Sequence, residues 1–477
     1  MTDIRSGTPV RSSEAAMPGL TEAVALFIDG AALQRMPGAA PEKAKKVIAD
    51  TFAVIVAGAG SEVAAPLMAY LDASGESGDT PLLGTNVRAS REAAALVNGT
   101  FGHALDFDDV LSMMPAHPSA IILSALLSAP DGSRLTGSAL LAAYITGIEV
   151  GARIGEAMTL GHYGRGFHGT GTLGLFSAVA ALCKYAALDV NTTRTAFGIA
   201  ASTASGLQRN FGTMTKPLHT GWAARSALTA LHLARSGLTA APDVLEAKAG
   251  FFFAYGTPES DPGTAVQALG NPWVIVDPGI ALKRFPCCYA SHRGMDGVLM
   301  VRKKLGLTAE TLAHLECRMP PGGMQVLTYP APVTGLEGKF SLEYSLAAGV
   351  LDGEYTLWSF SDEAVRRPEI APLLKRIDAH EDARCAGGDA RARSSGSRGH
   401  VEVIATLHDG RAETVRVDRA PGHPQRELTW DDLRGKFLDC AAHAGLARAP
   451  TEAAFERITR LETCDDVGEI VNLLVKH

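Results

Sequence analysis

Residues 98–120 read NGTFGHALDFDDVLSMMPAHPSA, and the reading of this stretch decides how the first half of the chain folds. It lies between two long apolar segments of helical period and carries two histidines and three aspartates. His103 and Asp106 are spaced i, i+3, so on a continuing helix they share one face. Asp108 and Asp109 fall where the punctuation of Pro115 and Pro118 should end that helix, and His117 returns just before the next. Ionisable groups are seldom buried in such number unless they pair with each other, a metal or a substrate. The competing reading is a polar network that only stitches two helices together.

Outward from this stretch the period stays helical. Ser90 is a plausible N-cap for the helix that carries the His103/Asp106 face. Pro41 opens EKAKKVIADTFAVIVAGAG, a helix with proline in its first turn and glycines at its end. Further helices are predicted at about 118–128, 136–158, 172–187, 192–206 and 219–236, rich in Ala, Gly and Ser, which lets helices approach closely. Residues 19–274 therefore read as one large all-helical domain, with residues 1–18 as a disordered leader that lacks the apolar core of a signal peptide. No fixed repeat period points to a solenoid.

The pattern changes after Pro272. WVIVD (273–277), HLECRMP (314–320) and MQVLTY (324–329) are β-prone, and two alternating runs flank Asp409-Gly410, a strong hairpin signal. Helices around Ser341–Leu351 and near Glu369–Ile377 interleave, and RCAGGDARARSSGSRG (384–399) reads as a mobile loop. Residues 275–422 form a smaller α+β lid domain on this reading, inserted before C-terminal helices (423–477) that rejoin the helical domain. The fold class is mainly α.

Composition narrows the function. The 477 residues are 46% hydrophobic and 20% charged, which describes a well-buried globular protein of two or three domains. A formal charge of −7 without long basic runs argues against nucleic acid as a partner. The most apolar stretch, SALLAAYITGIEVGARIG, is broken by Glu149 and Arg153, so no membrane partner is expected. Seven cysteines stand at irregular spacings and the only close pair, Cys287 and Cys288, is adjacent; reduced thiols in a cytoplasmic protein fit best.

Four further spots carry candidate chemistry. Gly164-Arg-Gly-Phe-His168-Gly-Thr-Gly-Thr is a glycine-rich loop before a helix, of the kind whose N–H groups approach an anion, though it lacks the ending of a nucleotide-binding loop. Thr215-Lys216-Pro-Leu-His219 sets a lysine and a histidine before an Ala-rich helix, with Lys216 on a turn fixed by the proline. Lys283-Arg284-Phe-Pro-Cys-Cys-Tyr-Ala-Ser-His292-Arg293 concentrates positive charge where the second domain begins, and Tyr329 lies in a proline-flanked turn. Each alone reads equally as solvated or structural; together, acids and histidines in one segment and lysines in two others describe a cleft for a carboxylate-bearing substrate. His103, Lys216, His219, Lys283, Arg284 and His292 are the candidates to bind it. The ligand types between His103 and His117 leave a metal site as a rival, but no H-E-x-x-H or other hydrolase spacing is present.

HALDFDD followed by HPS, then FHGTGTLG, TKPLH, KRFPCC with a following histidine, and LEGKFSLEY resemble the MmgE/PrpD family over residues 20 to 470 or so, five motifs in the same order. That family includes 2-methylcitrate dehydratases, cis-aconitate decarboxylases and iminodisuccinate epimerases. The resemblance implies a helical domain with a smaller α+β lid, usually as a homodimer, and catalysis without a metal or organic cofactor. It implies a site of Asp106, His117, His168, Lys216 and Lys283, with Tyr329 as a further lid tyrosine. It also implies a lyase acting on a small di- or tricarboxylic acid through a carboxylate-stabilised carbanion, or an epimerase using the same acid and base. Lys216 and Lys283 would then hold carboxylates and the developing enediolate, His117 and His168 would move protons, and Asp106 would orient or tune one of them. Val110-Leu-Ser-Met-Met stands where the family's decarboxylases have Thr-Trp-His-Pro, so the resemblance implies the chemistry more closely than the substrate.

Overall fold

The computed structural model describes residues 18–130, 132, 134–387 and 398–476. The expected leader, up to residue 17, and residues 388–397 of the expected mobile loop lie outside the described residues. Helix occupies 55% of the structure and strand 8%, so the fold is mainly α.

Among the described residues the first part is built by the helices α1 (Leu20–Gly30), α2 (Ala40–Gly58), α3 (Ala64–Ser74), α4 (Arg91–Ala104), α5 (Pro118–Ser128), α6 (Gly137–Gly164), α7 (Gly169–Thr172), α8 (Gly174–Tyr185), α9 (Val190–Ala201) and α10 (Thr215–Arg235), with two short helices, Phe251–Tyr255 and Pro262–Ala268, after them. Helix α2 is buried nearly all round, with Val47, Ile48, Phe52 and Ile55 at 4% exposure or less, and packs on α4. Ser90 caps α4 as its residue type suggested, accepting from the Ala93 N–H. Helices α4 and α10 cross in close contact. A Cβ on Gly221 would lie 2.1 Å from the Leu96 carbonyl oxygen, and one on Gly99 would meet Gly221 Cα at 2.9 Å. Small residues thus let two backbones touch, which brings the C-terminal end of α4 beside the N-terminal end of α10.

One apolar core gathers residues between Leu20 and Leu282 together with Leu428–Leu474; a second gathers Phe285–Val417. The second surrounds a four-stranded mixed sheet of β3 (Leu312–Met319), β4 (Ile377–Glu381), β5 (Val401–Leu407) and β6 (Ala412–Val417), in the order β4-β3-β5-β6; β1 (Thr80–Pro81) and β2 (Arg88–Ala89) form a small separate ribbon. The period-2 alternation of β5 turns Val401, Val403, Ala405 and Leu407 inward, against the helix His292–Leu305. Gly410, at φ 87°, makes the turn into β6. The helix Trp430–His443 returns to pack on α2.

Two expected strands are turns instead. In 273–277 Pro272 and Pro278 flank the run, the buried Glu149 carboxylate takes the Val274 N–H at 2.6 Å, and the Val276 and Asp277 N–H groups turn back to the Trp273 carbonyl, so these donors are spent on a turn. In 324–329 the Glu381 carboxylate takes the Met324 N–H, and Val326 and Leu327 drop into the second core. Conversely, the helix expected to reach residue 377 ends at Leu374, and β4 begins at Ile377, parallel to β3. Helix α10 starts at Thr215, four residues early, so Lys216 sits in its first turn, where Pro217 needs no N–H partner. No helix among the described residues is long and apolar enough to cross a membrane.

Candidate active site

A cleft enclosing about 530 Å³ opens where the two cores meet. Its lining includes Asp106, His117, His168, Lys216 and Lys283, with Tyr163 and Phe211 from the first part and Tyr289, Val326 and Phe340 from the second. These five of the residues named from sequence therefore converge, although they stand up to 177 positions apart.

Asp106 is the hub. Helix α4 ends at Ala104, so His103 and Asp106 do not share a helical face as their spacing suggested; Asp106 turns back with a left-handed backbone, φ 51°. Such a conformation costs roughly 1–3 kcal/mol in a non-glycine residue and persists where the surroundings impose it. Here they do: Lys216 Nζ lies 2.9 Å and Lys283 Nζ 2.7 Å from Asp106 Oδ1, and Lys283 also donates to the Asp106 carbonyl at 2.8 Å. Asp106 Oδ2 is buried with no hydrogen-bond partner among the described residues. Burial pushes the Asp106 carboxyl up, but Lys216 and Lys283 outweigh it and hold it well below the usual carboxylate range. Burial likewise opposes the charge of Lys283, yet Asp106 and Asp108 keep its pKa above the ordinary lysine value.

The histidines are fixed by what each nitrogen meets. His103 Nδ1 donates to Asp108 at 2.8 Å, and its Nε2 accepts from Lys216 at 2.8 Å. Both nitrogens are used, so His103 holds Lys216 in place and has no proton to exchange with the cleft. His117 Nδ1 donates to the Asp109 carbonyl at 2.6 Å, which leaves Nε2 with the lone pair, on the ring of a residue lining the cleft. His168 precedes α7, and its Nδ1 lies 2.9 Å from His219 Nδ1. Burial drives His103, His117 and His168 all well below the usual imidazole range, with Lys216 or Lys283 adding to the effect. Asp108 is shifted up by burial despite His117 and Lys283, and Asp109, bound to Ser119 at 2.6 Å, is shifted further up by burial and Asp108.

The glycine-rich loop packs closely against the His117 segment: a Cβ on Gly169 would meet the Pro115 carbonyl oxygen at 2.8 Å, and Thr170 Oγ1 accepts from the His117 N–H. Five named residues do not line the cleft: His103 and His219, which stand behind Lys216 and His168, and Arg284, His292 and Tyr329. Arg284 is exposed. His292 is buried between Phe285 and Tyr289 with Nε2 on the Cys287 carbonyl at 3.3 Å, and burial pushes it down to about 3. Tyr329 donates its hydroxyl to the Phe211 carbonyl at 2.9 Å and so buttresses the Phe211 wall from behind.

Other contributors were not legible in the sequence. Lys436, on the C-terminal helix, pairs with Asp50 at 2.7 Å, donates to the Phe107 and Lys283 carbonyls at 2.8 and 2.9 Å, and lies over the Phe107 ring at 3.6 Å. Lys339, inside the LEGKF motif, donates to the Ala104 carbonyl at the end of α4. Cys288 lines the cleft, but burial lifts its thiol to about 11, which keeps it protonated.

His103, Asp106, Asp108 and His117 offer ligand atoms within 4.8 Å of one another, a spacing that suits a metal ion. Two ammonium groups already occupy Asp106 Oδ1 and both His103 nitrogens are engaged, so a cation there would sit against the charges of Lys216 and Lys283 and would need a His103 nitrogen released. The donor set fits protonated lysines better than a metal.

The chain matches the model of the MmgE/PrpD N-terminal domain over residues 22–262 and that of the MmgE/PrpD C-terminal domain over residues 285–460. It is 30% identical to the cis-aconitate decarboxylase of Mus musculus, with 96% of this chain and 94% of the relative covered. It is 29% identical to that of Homo sapiens over 96% and 95%. Similarity to the mitochondrial 2-methylcitrate dehydratase of Yarrowia lipolytica, at 24% identity, spans 40% of the chain and 38% of that protein.

Proposed function

Because this chain belongs to the MmgE/PrpD family, we propose that its cleft is the active site of a lyase acting on a tricarboxylic acid through a carboxylate-stabilised carbanion. The observation that carries the reading is the pair of ammonium groups, Lys216 and Lys283, on one oxygen of Asp106 in a cleft that also holds His117 and His168. Two cations against one firmly ionised carboxylate leave positive charge for an anionic substrate, and they face the point where an enediolate would form.

Decarboxylation of an unsaturated acid similar to cis-aconitate is the leading form, supported by relatives that match along nearly the whole chain. Carbon dioxide leaves with its bond electrons left on carbon; the lysines stabilise that charge, and His168 supplies the proton that quenches it. Dehydration is the second form, favoured by the tautomer of His117. Its Nε2 lone pair is set to take a proton from carbon while His168 protonates the departing hydroxyl, whereas decarboxylation consumes no base. We also propose a cytoplasmic homodimer, supported by seven unpaired thiols and by the exposed rings of Tyr70 and Trp222; analytical ultracentrifugation tests the assembly.

Proton NMR in D2O of EDTA-treated enzyme with citrate-like, aconitate-like and aspartate-derived acids tests the function. Product from a tricarboxylate supports it. Deuterium exchange without product would replace it by epimerisation, and activity only after metal is added would overturn it.

A further inference from the structure

His219 was grouped with the substrate ligands on sequence, yet it stands behind His168 rather than on the cleft lining. We propose that His219 is the positioning residue that orients His168 and shares its proton, so that the two rings act together as the acid; this rests on the reading of the cleft given above.

The contact is built from several sides. His219 lies in the first turns of α10, three residues after Lys216, and its Nδ1 is 2.9 Å from that of His168. Gly206, at φ 138°, fits against both rings: a Cβ there would lie 3.3 Å from His219 Cγ and 3.4 Å from His168 Cβ. Its carbonyl accepts from the His168 N–H at 3.0 Å. A Cβ on Gly171 would press on His219 Cβ at 3.3 Å, and Phe211 meets the His168 ring edge-on. The two rings are therefore packed into one arrangement.

Two facing imidazole nitrogens hydrogen-bond only when a single proton lies between them. With both rings neutral and that proton on His219, His168 carries its other proton on Nε2, toward the cleft. A lone neutral histidine that gave up this proton would become an anion. The pair avoids this once it holds one extra proton taken from solvent as the anionic substrate binds. His168 Nε2–H then transfers to the substrate carbon or leaving hydroxyl. The His219 Nδ1–H bond breaks as a His168 Nδ1–H bond forms, and two neutral rings remain. The groups facing the pair are Lys216 on α10, His103 on α4, and His117 and Tyr163 at the cleft. Burial and Lys216 hold both rings low, His219 at about 4, so the empty pair is neutral and the extra proton arrives with the substrate's negative charge.

The test uses the full chain with His219→Ala and His219→Asn. The asparagine amide orients the His168 ring but passes no proton. In the alanine variant kcat should fall about 100-fold with KM within about twofold, and asparagine should restore only part of the loss. Tricarballylate, a saturated tricarboxylate, should bind the wild type with uptake of one proton, read by calorimetry in buffers of different ionisation enthalpy. That uptake should be lost in the variants. In the substrate-free enzyme, nitrogen-15 NMR should show one Nδ1 as donor and the other as acceptor. A raised KM with unchanged kcat would make His219 a substrate ligand, and wild-type kinetics in the alanine variant would also overturn the proposal. If no acid in the panel is turned over, the lyase reading fails, while the NMR still decides whether the rings share a proton.

Discussion

Two buried lysine–aspartate clusters sit back to back, separated by one residue of the chain. On the cleft side Lys216 and Lys283 hold Asp106; on the far side Lys436 pairs with Asp50 and grips the carbonyl of Phe107. The residue types are the same, and the wiring differs. Lys436 meets one Asp50 oxygen, two carbonyls and an aromatic face, and it does not line the cleft. Each cluster leaves a carboxylate oxygen without a hydrogen-bond partner, Asp50 Oδ2 in one and Asp106 Oδ2 in the other, but Asp106 lines open space and so holds its bonding capacity where a ligand can use it. Burial, ion pairing and an unpartnered oxygen are common to both clusters; the cavity beside Asp106 is what separates them.

The most forceful way to break the comparison is Lys436→Met. It strands Asp50 without its ammonium partner and should cost about 3–5 kcal/mol of stability, read by chemical denaturation. Replacing the partner as well, in Lys436→Met with Asp50→Leu, should recover much of the loss, because an apolar pair of similar size is often as stable as a buried ion pair. Lys216→Ala should do the reverse: at least a ~100-fold loss in kcat, with the melting temperature little changed, since Lys283 still neutralises Asp106. Equal damage to stability by both single variants would erase the distinction.

A smaller effect separates the clusters by pH. The pKa of His168 is lowered in the folded state, so the unfolded chain binds a proton that the native one refuses once the pH falls below about 6.5. The stability that this neutral ring contributes is present above that value and lost as the pH falls. Asp108 and Asp109, shifted up, work in the opposite direction in acid, so the comparison is made against a variant. Relative to His168→Gln, the wild type should lose up to about 1.4 kcal/mol more per pH unit between 6 and 5, read from denaturation midpoints. The smallest effect is expected of Tyr329→Phe, which removes one hydrogen bond behind the Phe211 wall. About 1 kcal/mol of stability and a few-fold change in KM should follow.

Much of the helical part was legible because α2, α4, α5 and α6 carry their own signals: a capping residue or a proline in the first turn, and long runs of apolar residues. The hairpin of β5 and β6 was legible from Asp409-Gly410. The runs at 273–277 and 324–329 misled, because the carboxylates of Glu149 and Glu381 that capture their backbones come from distant segments. The motif residues Asp106, His117, His168, Lys216 and Lys283 could be named in advance. The turn at Asp106 could not: His103 and Asp106 meet through Lys216, 113 and 110 positions downstream, and helical spacing carries no sign of that. Lys436 was invisible for the same reason, as a basic residue on an ordinary amphipathic helix.

The placement of the cleft at the seam of two cores has a consequence for how such a protein diversifies. On the reading proposed above, the groups that handle protons and negative charge come from the first part of the chain and from Lys283 at the junction, while Tyr289, Ala290, Val326 and Phe340 of the second part complete the lining. Drift in those residues changes which molecule fits and leaves the reacting groups as they are. On that reading reactivity and selectivity sit on separate stretches of sequence, and one scaffold could take a new metabolite without reinventing its chemistry.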